Sequence, residues 1–224
     1  MKKVTMSEHG LGRIPSPRDE RDYRMADALP FLTPAPRPVK VWHSDRVLNQ
    51  GTTQHCVGFA MAAWGIACPV EDPWCDLTGH DIYKACKVLD GEPGNENGST
   101  VRTGAKVLVH RGRIGTYFFA RTVDEMLDYL ARYGTVVAGT NWYSGMFKTS
   151  LMSHIIRPNG ELVGGHAYLL IGVDARYITI RNSWGTDWGK AGDARISIAD
   201  FRTLWAQGAE ALAATEKLLP LGGS

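Results

Sequence analysis

Apolar residues follow helical spacing through the first half of the chain. Residues 56–67 read CVGFAMAAWGIA, which is apolar on every side and therefore predicts a helix that is buried all round. Three further segments show one apolar face, and Thr122 and Gly134 are typical start and stop residues for the last of them. These segments are residues 79–90, 103–111 and 122–134. The first half is predicted to be mainly helical.

The second half changes to short runs of β-branched and aromatic residues. Turn residues separate these runs, which is typical of an antiparallel sheet. The runs are TVVAGT at 135–140, HAYLLIGVD at 166–174, YITIRNS at 177–183 and DARISI at 193–198. Helices first and strands later indicate an α+β fold. We expect a helical lobe over about 50–120, a sheet lobe over about 121–224, and a cleft between them that is a natural active site.

The two ends of the chain depart from this pattern. Residues 1–38 are rich in proline and charge, which predicts an extended arm lying on a domain that spans 39–224. The tail, residues 200–218, returns to helical spacing through Phe201, Leu204 and Leu212 and predicts a final helix.

Composition narrows the class of protein. The 224 residues are 44% hydrophobic and 21% charged, which is ordinary for a soluble globular protein with one large domain or two small lobes. The net charge of +2, with both signs interspersed, gives no argument for a nucleic-acid or membrane partner. No apolar run has the length of a signal peptide or a membrane span. We expect a cytoplasmic protein, although a separate export route stays open.

Four cysteines are present: Cys56, Cys68, Cys75 and Cys86. The even count permits two disulfides, but a reducing compartment disfavours them. A zinc site built from the last three together with His80 is an alternative, although the spacing lacks the close cysteine pair of most structural zinc sites. We therefore expect no metal and no cofactor.

Cys56 and His166 are the first two residues with candidate chemistry. Cys56 begins the buried helix, where the helix dipole and free N–H groups favour a thiolate. His166 opens an apolar strand and follows Gly164 and Gly165, whose missing side chains suit a cleft wall. Taken singly, each has an ordinary structural alternative, a buried core cysteine or a histidine at a strand start.

Asn182 and Gln50 complete the candidate set. Asn182 follows His166 by 16 residues, a separation that suits neighbouring antiparallel strands. Its amide oxygen would orient the imidazole and leave the other ring nitrogen for a thiol, and Trp184 would shield that bond from water. Gln50 precedes Cys56 by six residues and could donate to an oxyanion together with the Cys56 N–H. A turn asparagine and a polar loop glutamine are the structural alternatives.

Three segments together resemble the papain-like cysteine peptidases. They are QGTTQHC with the apolar helix after it, GGHA, and NSWGTDWGKAG. The likeness runs from about residue 39 to 201, and GSTVRTGAKVLVHRGRI and WYSGMF are similar to bacterial-type members without the long pro-segment. It implies a papain-like two-lobed fold that hydrolyses peptides or proteins. Cys56 would be the nucleophile, His166 its base, Asn182 the residue that orients His166, and Gln50 a donor to the oxyanion.

The resemblance also suggests where substrate lies. The pocket for the residue before the scissile bond is expected near Val137, Gly164 and Gly165, with Trp184 beside the catalytic pair. Small residues there would leave room for a bulky apolar side chain.

Some positions depart from the family pattern and keep alternatives open. Gln54, His55 and Val57 surround Cys56, where the family has Gly-Ser or Gly-Ala before the cysteine and an aromatic residue after it. His55 beside the nucleophile could alter its protonation. The same Cys-His-Asn machinery could act on another amide or acyl group, or the chain could be a papain-like binding module without catalysis. The sequence also leaves open whether the arm enters the cleft as an inhibitor, and what the oligomeric state is.

Overall fold

The computed structural model describes residues 9–28 and 36–216. Residues 1–8 and 29–35 of the predicted arm, and 217–218 of the predicted tail helix, lie outside the described residues. In chain order the elements are β1 (Arg13–Ile14), α1 (Met25–Ala28), β2 (Lys40–Val41), α2 (Cys56–Ile66), α3 (Asp76–Leu89), β3 (Ser99–Thr100), α4 (Val101–His110), β4 (Ile114–Phe119), α5 (Val123–Arg132), β5 (Val136–Tyr143), a 3-10 turn (Ser144–Phe147), β6 (Leu162–Val173), β7 (Tyr177–Arg181), β8 (Asp193–Ser197), α6 (Ile198–Ala206) and β9 (Glu210–Glu216).

Seven strands form one antiparallel sheet in the order β4-β9-β5-β6-β7-β8, with β2 added beside β6. Within the described residues this sheet is open and does not close into a barrel. The twelve-residue strand β6 lies inside it and pairs with β5 on one side and β7 on the other. The prediction of an α+β fold with an antiparallel sheet is confirmed.

Helices cover both faces of the sheet. One apolar cluster joins the sheet to α2, α3 and α4, and a second joins its other face to α5 and α6. All eleven residues of α2 are buried, as the continuous apolar pattern predicts. Gly58 allows α3 to approach, since a Cβ there would lie 2.2 Å from the Gly79 carbonyl oxygen.

The predicted helices α2 to α5 and strands β5 to β8 are all present, within a few residues at their ends. Thr122 caps α5 as predicted, because its hydroxyl accepts a hydrogen bond from the Glu125 N–H at 3.1 Å. Among the described residues, the helices are too short or too polar to cross a membrane.

The predicted tail helix is wrong beyond Ala206. The helix ends there, Gly208 adopts a φ of +90°, and the chain enters the sheet as β9 between β4 and β5. Leu212, assigned to the helical face, is instead buried in the sheet opposite Val137. Pairing with two strands therefore overrides the local helical pattern. The sequence pattern also missed β4, which lies in the range expected for the helical lobe but pairs with β9.

The described part of the arm is anchored to the domain. Strand β1 pairs with β3 in parallel, and Met25 of α1 is fully buried in the second apolar cluster. Between them, the Arg102 guanidinium pairs with the Asp22 carboxylate and also donates to the Pro17 carbonyl. Both charged side chains are at least nine-tenths buried, so this described part of the arm is packed into the folded molecule.

Candidate active site

Cys56 occupies the first position of α2, where the helix meets the sheet. Its side chain is fully buried, and its Sγ accepts a hydrogen bond from the Ala167 backbone N–H on β6 at 3.4 Å. Burial raises the pKa of the Cys56 thiol to about 12, although neighbouring backbone N–H groups act in the opposite direction. Burial therefore outweighs these backbone hydrogen bonds and favours the protonated thiol in this arrangement.

His166 immediately precedes Ala167 on β6 and is held by Asn182. The His166 Nε2 lies 2.8 Å from the Asn182 Oδ1, and this oxygen also accepts a hydrogen bond from the Ser183 backbone N–H at 2.8 Å. Because the amide oxygen only accepts, Nε2 carries the ring proton and Nδ1 keeps its lone pair. Nδ1 is buried and has no hydrogen-bond partner among the described residues. A basic nitrogen is thus left unused beside the residue that contacts the sulfur.

Aromatic rings enclose the imidazole. Trp184 stacks on His166 with ring centroids 4.7 Å apart, and Trp142 meets it edge-on at 4.8 Å. Asn182 is buried with them. Burial lowers the pKa of His166 to about 4, and the hydrogen bond to Asn182 only partly opposes this effect. The imidazole is therefore neutral at neutral pH.

Gln50, in the loop before α2, is held beside Ser183, the neighbour of Asn182. Its Oε1 accepts a hydrogen bond from the Ser183 hydroxyl at 2.7 Å, which fixes the orientation of the amide. Its Nε2 donates to the Thr53 carbonyl at 2.8 Å and to the Gly10 carbonyl at 3.1 Å. The Gly10 carbonyl oxygen, which belongs to the arm, therefore contacts the side-chain amide that the sequence predicts to stabilise an oxyanion.

The arm crosses the site through residues 9–12. His9 stacks on Trp184 with ring centroids 4.5 Å apart, and the Trp184 indole N–H donates to the Gly10 carbonyl at 3.1 Å. The Gly12 N–H donates to the Gly165 carbonyl at 3.1 Å, and the Gly12 carbonyl accepts from the Ser99 N–H at 2.9 Å. We call this the closed arrangement; Cys56 and His166 are both fully buried in it.

Glycines permit this close approach of two backbones. A Cβ at Gly10 would lie 1.8 Å from the Thr53 carbonyl oxygen, and one at Gly12 would lie 2.1 Å from that of Gln54. Gly12 also has a φ of +117°, which side chains rarely permit. The alternating glycines of HGLG were a signal for such contact that sequence reasoning missed, and His9, Gly10 and Gly12 were not among its site residues.

The structure brings three of the four predicted substrate-contacting residues to the arm. Gly165 is hydrogen-bonded to Gly12, and Trp184 is hydrogen-bonded to Gly10. A Cβ at Gly164 would lie 3.2 Å from the Leu11 side chain. Val137 is not among them: it is fully buried in the cluster under α2, opposite Leu212. Gly139, which is two residues after Val137 on the same face of β5, borders the arm instead.

His55, adjacent to Cys56, belongs to a separate cluster. Its Nδ1 lies 2.7 Å from Nδ1 of His80, its Nε2 contacts the Glu96 carboxylate, and its ring stacks on Tyr83 at 3.8 Å. Burial lowers the pKa of His55, and Glu96 acts in the opposite direction. The side chain thus ties α2 to α3 and to the loop before β3.

The four cysteines are all free. Across residues 9–28 and 36–216, no three cysteine, histidine or acidic side chains gather as metal ligands would. His80, a member of the alternative zinc set, instead contacts His55.

A family comparison identifies what half of the chain is similar to. The sequence model described as papain family cysteine protease matches residues 93–204, half of the chain. The match includes His166, Asn182 and Trp184, whereas Gln50 and Cys56 precede it.

Solved structures of the same architecture cover nearly the whole chain. Xylellain, a cysteine protease from Xylella fastidiosa, superposes with a TM-score of 0.70 at 20% identity over 96% of this chain and 100% of its own. A procathepsin B from Trypanosoma congolense gives 0.65 at 15% identity, with coverages of 98% and 91%. The bromelain protease of Ananas comosus, in complex with the E64 inhibitor, gives 0.58 at 16% identity, with coverages of 82% and 100%. The predicted papain-like fold is thereby confirmed.

Proposed function

The chain belongs to the papain family of cysteine proteases, and on that basis we propose that it hydrolyses peptide bonds through an acyl-enzyme on Cys56. The observation that carries this proposal is the unused Nδ1 of His166. The opposite ring nitrogen is bonded to Asn182, and the Cys56 sulfur contacts the very next residue of β6. These two contacts support the roles of Cys56 as nucleophile, His166 as its base and Asn182 as the residue that orients the base, the three roles that nucleophilic catalysis requires.

The reaction begins when His166 Nδ1 takes the thiol proton and the sulfur attacks the substrate carbonyl carbon. The carbonyl oxygen gains a negative charge, and Gln50 Nε2 and the Cys56 backbone N–H donate hydrogen bonds to it. When the tetrahedral intermediate collapses, the C–N bond breaks, the amine leaves with the proton from His166, and a thioester remains. Water then attacks the thioester, with His166 as the base, and releases the acid and the free thiol.

The position of the Gly10 carbonyl supports the role of Gln50. It is a carbonyl oxygen held by the same amide N–H that would stabilise the oxyanion. Trp184 supports the role of Asn182, because its ring covers the imidazole and excludes water from the bond between His166 and Asn182.

The closed arrangement is inactive in this proposal. The arm occupies the line on which a substrate would lie, and burial keeps both the thiol and the imidazole neutral. Departure of residues 9–13 would admit water and substrate and let the proton move from sulfur to nitrogen. The arm is therefore an inhibitor within the same chain.

Covalent labelling by an E64-type epoxide tests the proposal. We define the arm-open variant as the full-length chain with Gly10→Ala and Gly12→Ala, both of which clash with the loop before α2. Intact-mass analysis should find one adduct on the arm-open variant, and hydrolysis of a diverse peptide library should accompany it. Adding Cys56→Ala should abolish both.

Cys75 supplies the matched control. It is half-buried and lies at the start of α3, and backbone hydrogen bonds lower its pKa, so it is the rival for a reactive thiol. Cys75→Ala should leave labelling and hydrolysis unchanged. Labelling that depends on Cys75, or a library that is cleaved equally well without Cys56, would overturn the proposal. Labelling without any peptide hydrolysis would favour a different acyl substrate.

A further inference from the structure

Arg13 of the arm buries its guanidinium in a pocket of the cleft. Its Nε donates to the Glu210 carboxylate at 2.9 Å, and its Nη2 donates to the Gly208 carbonyl at 3.0 Å. The Arg13 side chain is 2% exposed and that of Glu210 is 11% exposed. Removing both charges from water is costly, so a pocket of this kind favours an occupant that matches its charge and its donor geometry.

Gly139 gives the guanidinium its room. A Cβ at this position of β5 would lie 2.9 Å from the Arg13 Nε, 3.1 Å from the Glu210 Oε1 and 3.0 Å from the Val101 side chain. Any larger residue would therefore crowd both charged groups. Glu210 is the direct partner of Gly139 across β5 and β9, so the sheet register holds the carboxylate at the floor of the pocket.

The pocket opens on the line along which the arm crosses the site. Gly12, the neighbour of Arg13, is hydrogen-bonded to the backbone of Gly165 and of Ser99. Gly165 directly precedes His166. The arm runs parallel to β3. Antiparallel pairing is the more stable arrangement, so we expect a substrate to use the same groups in the opposite direction. In the arm, Arg13 in the pocket follows Gly10, whose carbonyl lies at Gln50. In a substrate that runs the opposite way, the residue in the pocket therefore precedes the scissile bond.

We propose that Glu210 makes this pocket select substrates with arginine, and less strongly lysine, within three residues before the scissile bond. The inference rests on the proposed peptidase function. When Arg13 leaves, the Glu210 carboxylate loses its charged partner, and a basic side chain of the substrate restores the pairing whereas an apolar one does not. Arginine is favoured over lysine because the pocket offers two separate acceptors for a forked donor. This replaces the bulky apolar side chain expected from the sequence.

A positional peptide library tests the selection. The enzyme is the full-length arm-open variant with Arg13→Ala added, which empties the pocket while keeping the anchor of Asp22 on Arg102. We expect kcat/KM for arginine at the preferred upstream position to exceed that for norleucine by tenfold or more, as for one buried charge pair. Glu210→Gln should remove this preference by lowering kcat/KM for the arginine substrate while leaving that for the norleucine substrate unchanged.

Two further variants keep the result interpretable. Gly139→Ala adds a methyl group beside Glu210 and should also lower the arginine preference, with the carboxylate intact. Glu161→Gln removes a carboxylate from the far end of the cleft, near His9, and should leave the preference unchanged. Cleavage that depends on Cys56 but shows no upstream basic preference would overturn the pocket inference and leave the peptidase proposal standing.

Binding separates the two proposals if no peptide is cleaved. The same arm-open, Arg13→Ala chain carrying Cys56→Ala is titrated by calorimetry with a peptide of residues 9–16. We expect the peptide with arginine at position 13 to bind at least tenfold more tightly than its norleucine analogue, and Glu210→Gln to erase the difference. Equal affinities would overturn the pocket inference whatever the catalytic outcome.

Discussion

The carbonyl oxygen of Gly10 accepts a hydrogen bond at 3.1 Å from Nε2 of Gln50, a residue 40 positions away along the chain. The amide that we assign to the oxyanion is therefore occupied by the protein's own backbone. In the proposed mechanism the arm competes with substrate, and its covalent attachment gives it a high effective concentration. Activity then depends on how easily residues 9–13 leave.

The first prediction concerns this competition. Gly10→Ala with Gly12→Ala should raise the rate of epoxide labelling by about tenfold or more, since losing one or two buried contacts of the arm costs at least 1.4 kcal/mol. The Cβ atoms clash with backbone that cannot move aside. Pseudo-first-order labelling rates of the full-length chains measure the effect.

Gly94→Ala is the matched control for backbone strain. Gly94 also has a positive φ, +80°, but its Cβ would meet nothing within 4 Å. This variant should label at the wild-type rate. Equal rates for all three proteins would show that the arm does not limit access to Cys56.

The second prediction concerns Gln50. In the arm-open variant, Gln50→Ala should lower kcat by roughly 10²-fold, the usual effect of removing one oxyanion donor, with little change in KM. Gln54→Ala, in the same loop, has an exposed side chain and keeps its backbone carbonyl. It should behave as the parent. A Gln50 variant with unchanged kcat would remove this residue from the mechanism.

The third prediction concerns Asn182 as a positioning residue. Asn182→Ala should lower kcat by about 10²-fold, because the imidazole loses the bond that orients it and sets its tautomer. Asn182→Asp keeps the acceptor oxygen, and the Asn182 Nδ2 has no partner among the described residues to lose. It should recover part of the activity and shift the pH-rate profile. A merely structural role predicts equal losses and an unmoved profile.

The fourth prediction concerns acid. Folding lowers the pKa of His166 from 6.5 to about 4, so the neutral form is favoured in the native state. The free energy of unfolding keeps the full contribution of His166 above pH 6.5. It loses on the order of 3 kcal/mol as the pH falls toward 4, because the unfolded chain takes up a proton that the native imidazole does not. Urea unfolding between pH 7 and pH 4 measures the slope. His166→Gln should flatten it, and an unchanged slope would contradict the burial of a neutral imidazole.

The elements that position the site could be predicted because their signals are local. The apolar run of α2 and the β-branched runs of β6 and β7 made Cys56, His166 and Asn182 candidates, each with a structural alternative, and the resemblance to papain-like peptidases then suggested their roles. Gln50 came from the resemblance and from its distance to Cys56. These assignments needed no knowledge of the tertiary contacts.

The remaining features depend on contacts between distant residues. Helical spacing placed Leu212 in a helix, whereas pairing with β4 and β5 places it in the sheet. The substrate pocket was expected near Val137, Gly164 and Gly165. Gly139, which contacts Arg13, was not among these residues, because the sequence does not show which part of β5 the arm meets. The contact between Gly10 and Gln50 likewise joins two loops with no periodic pattern.

The central claim is that Cys56 carries the acyl group, and trapping that group tests it most directly. The arm-open variant is mixed with a peptide ester, quenched in acid after milliseconds to seconds, and mapped by peptide mass spectrometry. We predict an acyl group on Cys56 that accumulates and then disappears, and that His166→Ala suppresses. An acyl group on another residue, or none while the ester is hydrolysed, would contradict the account.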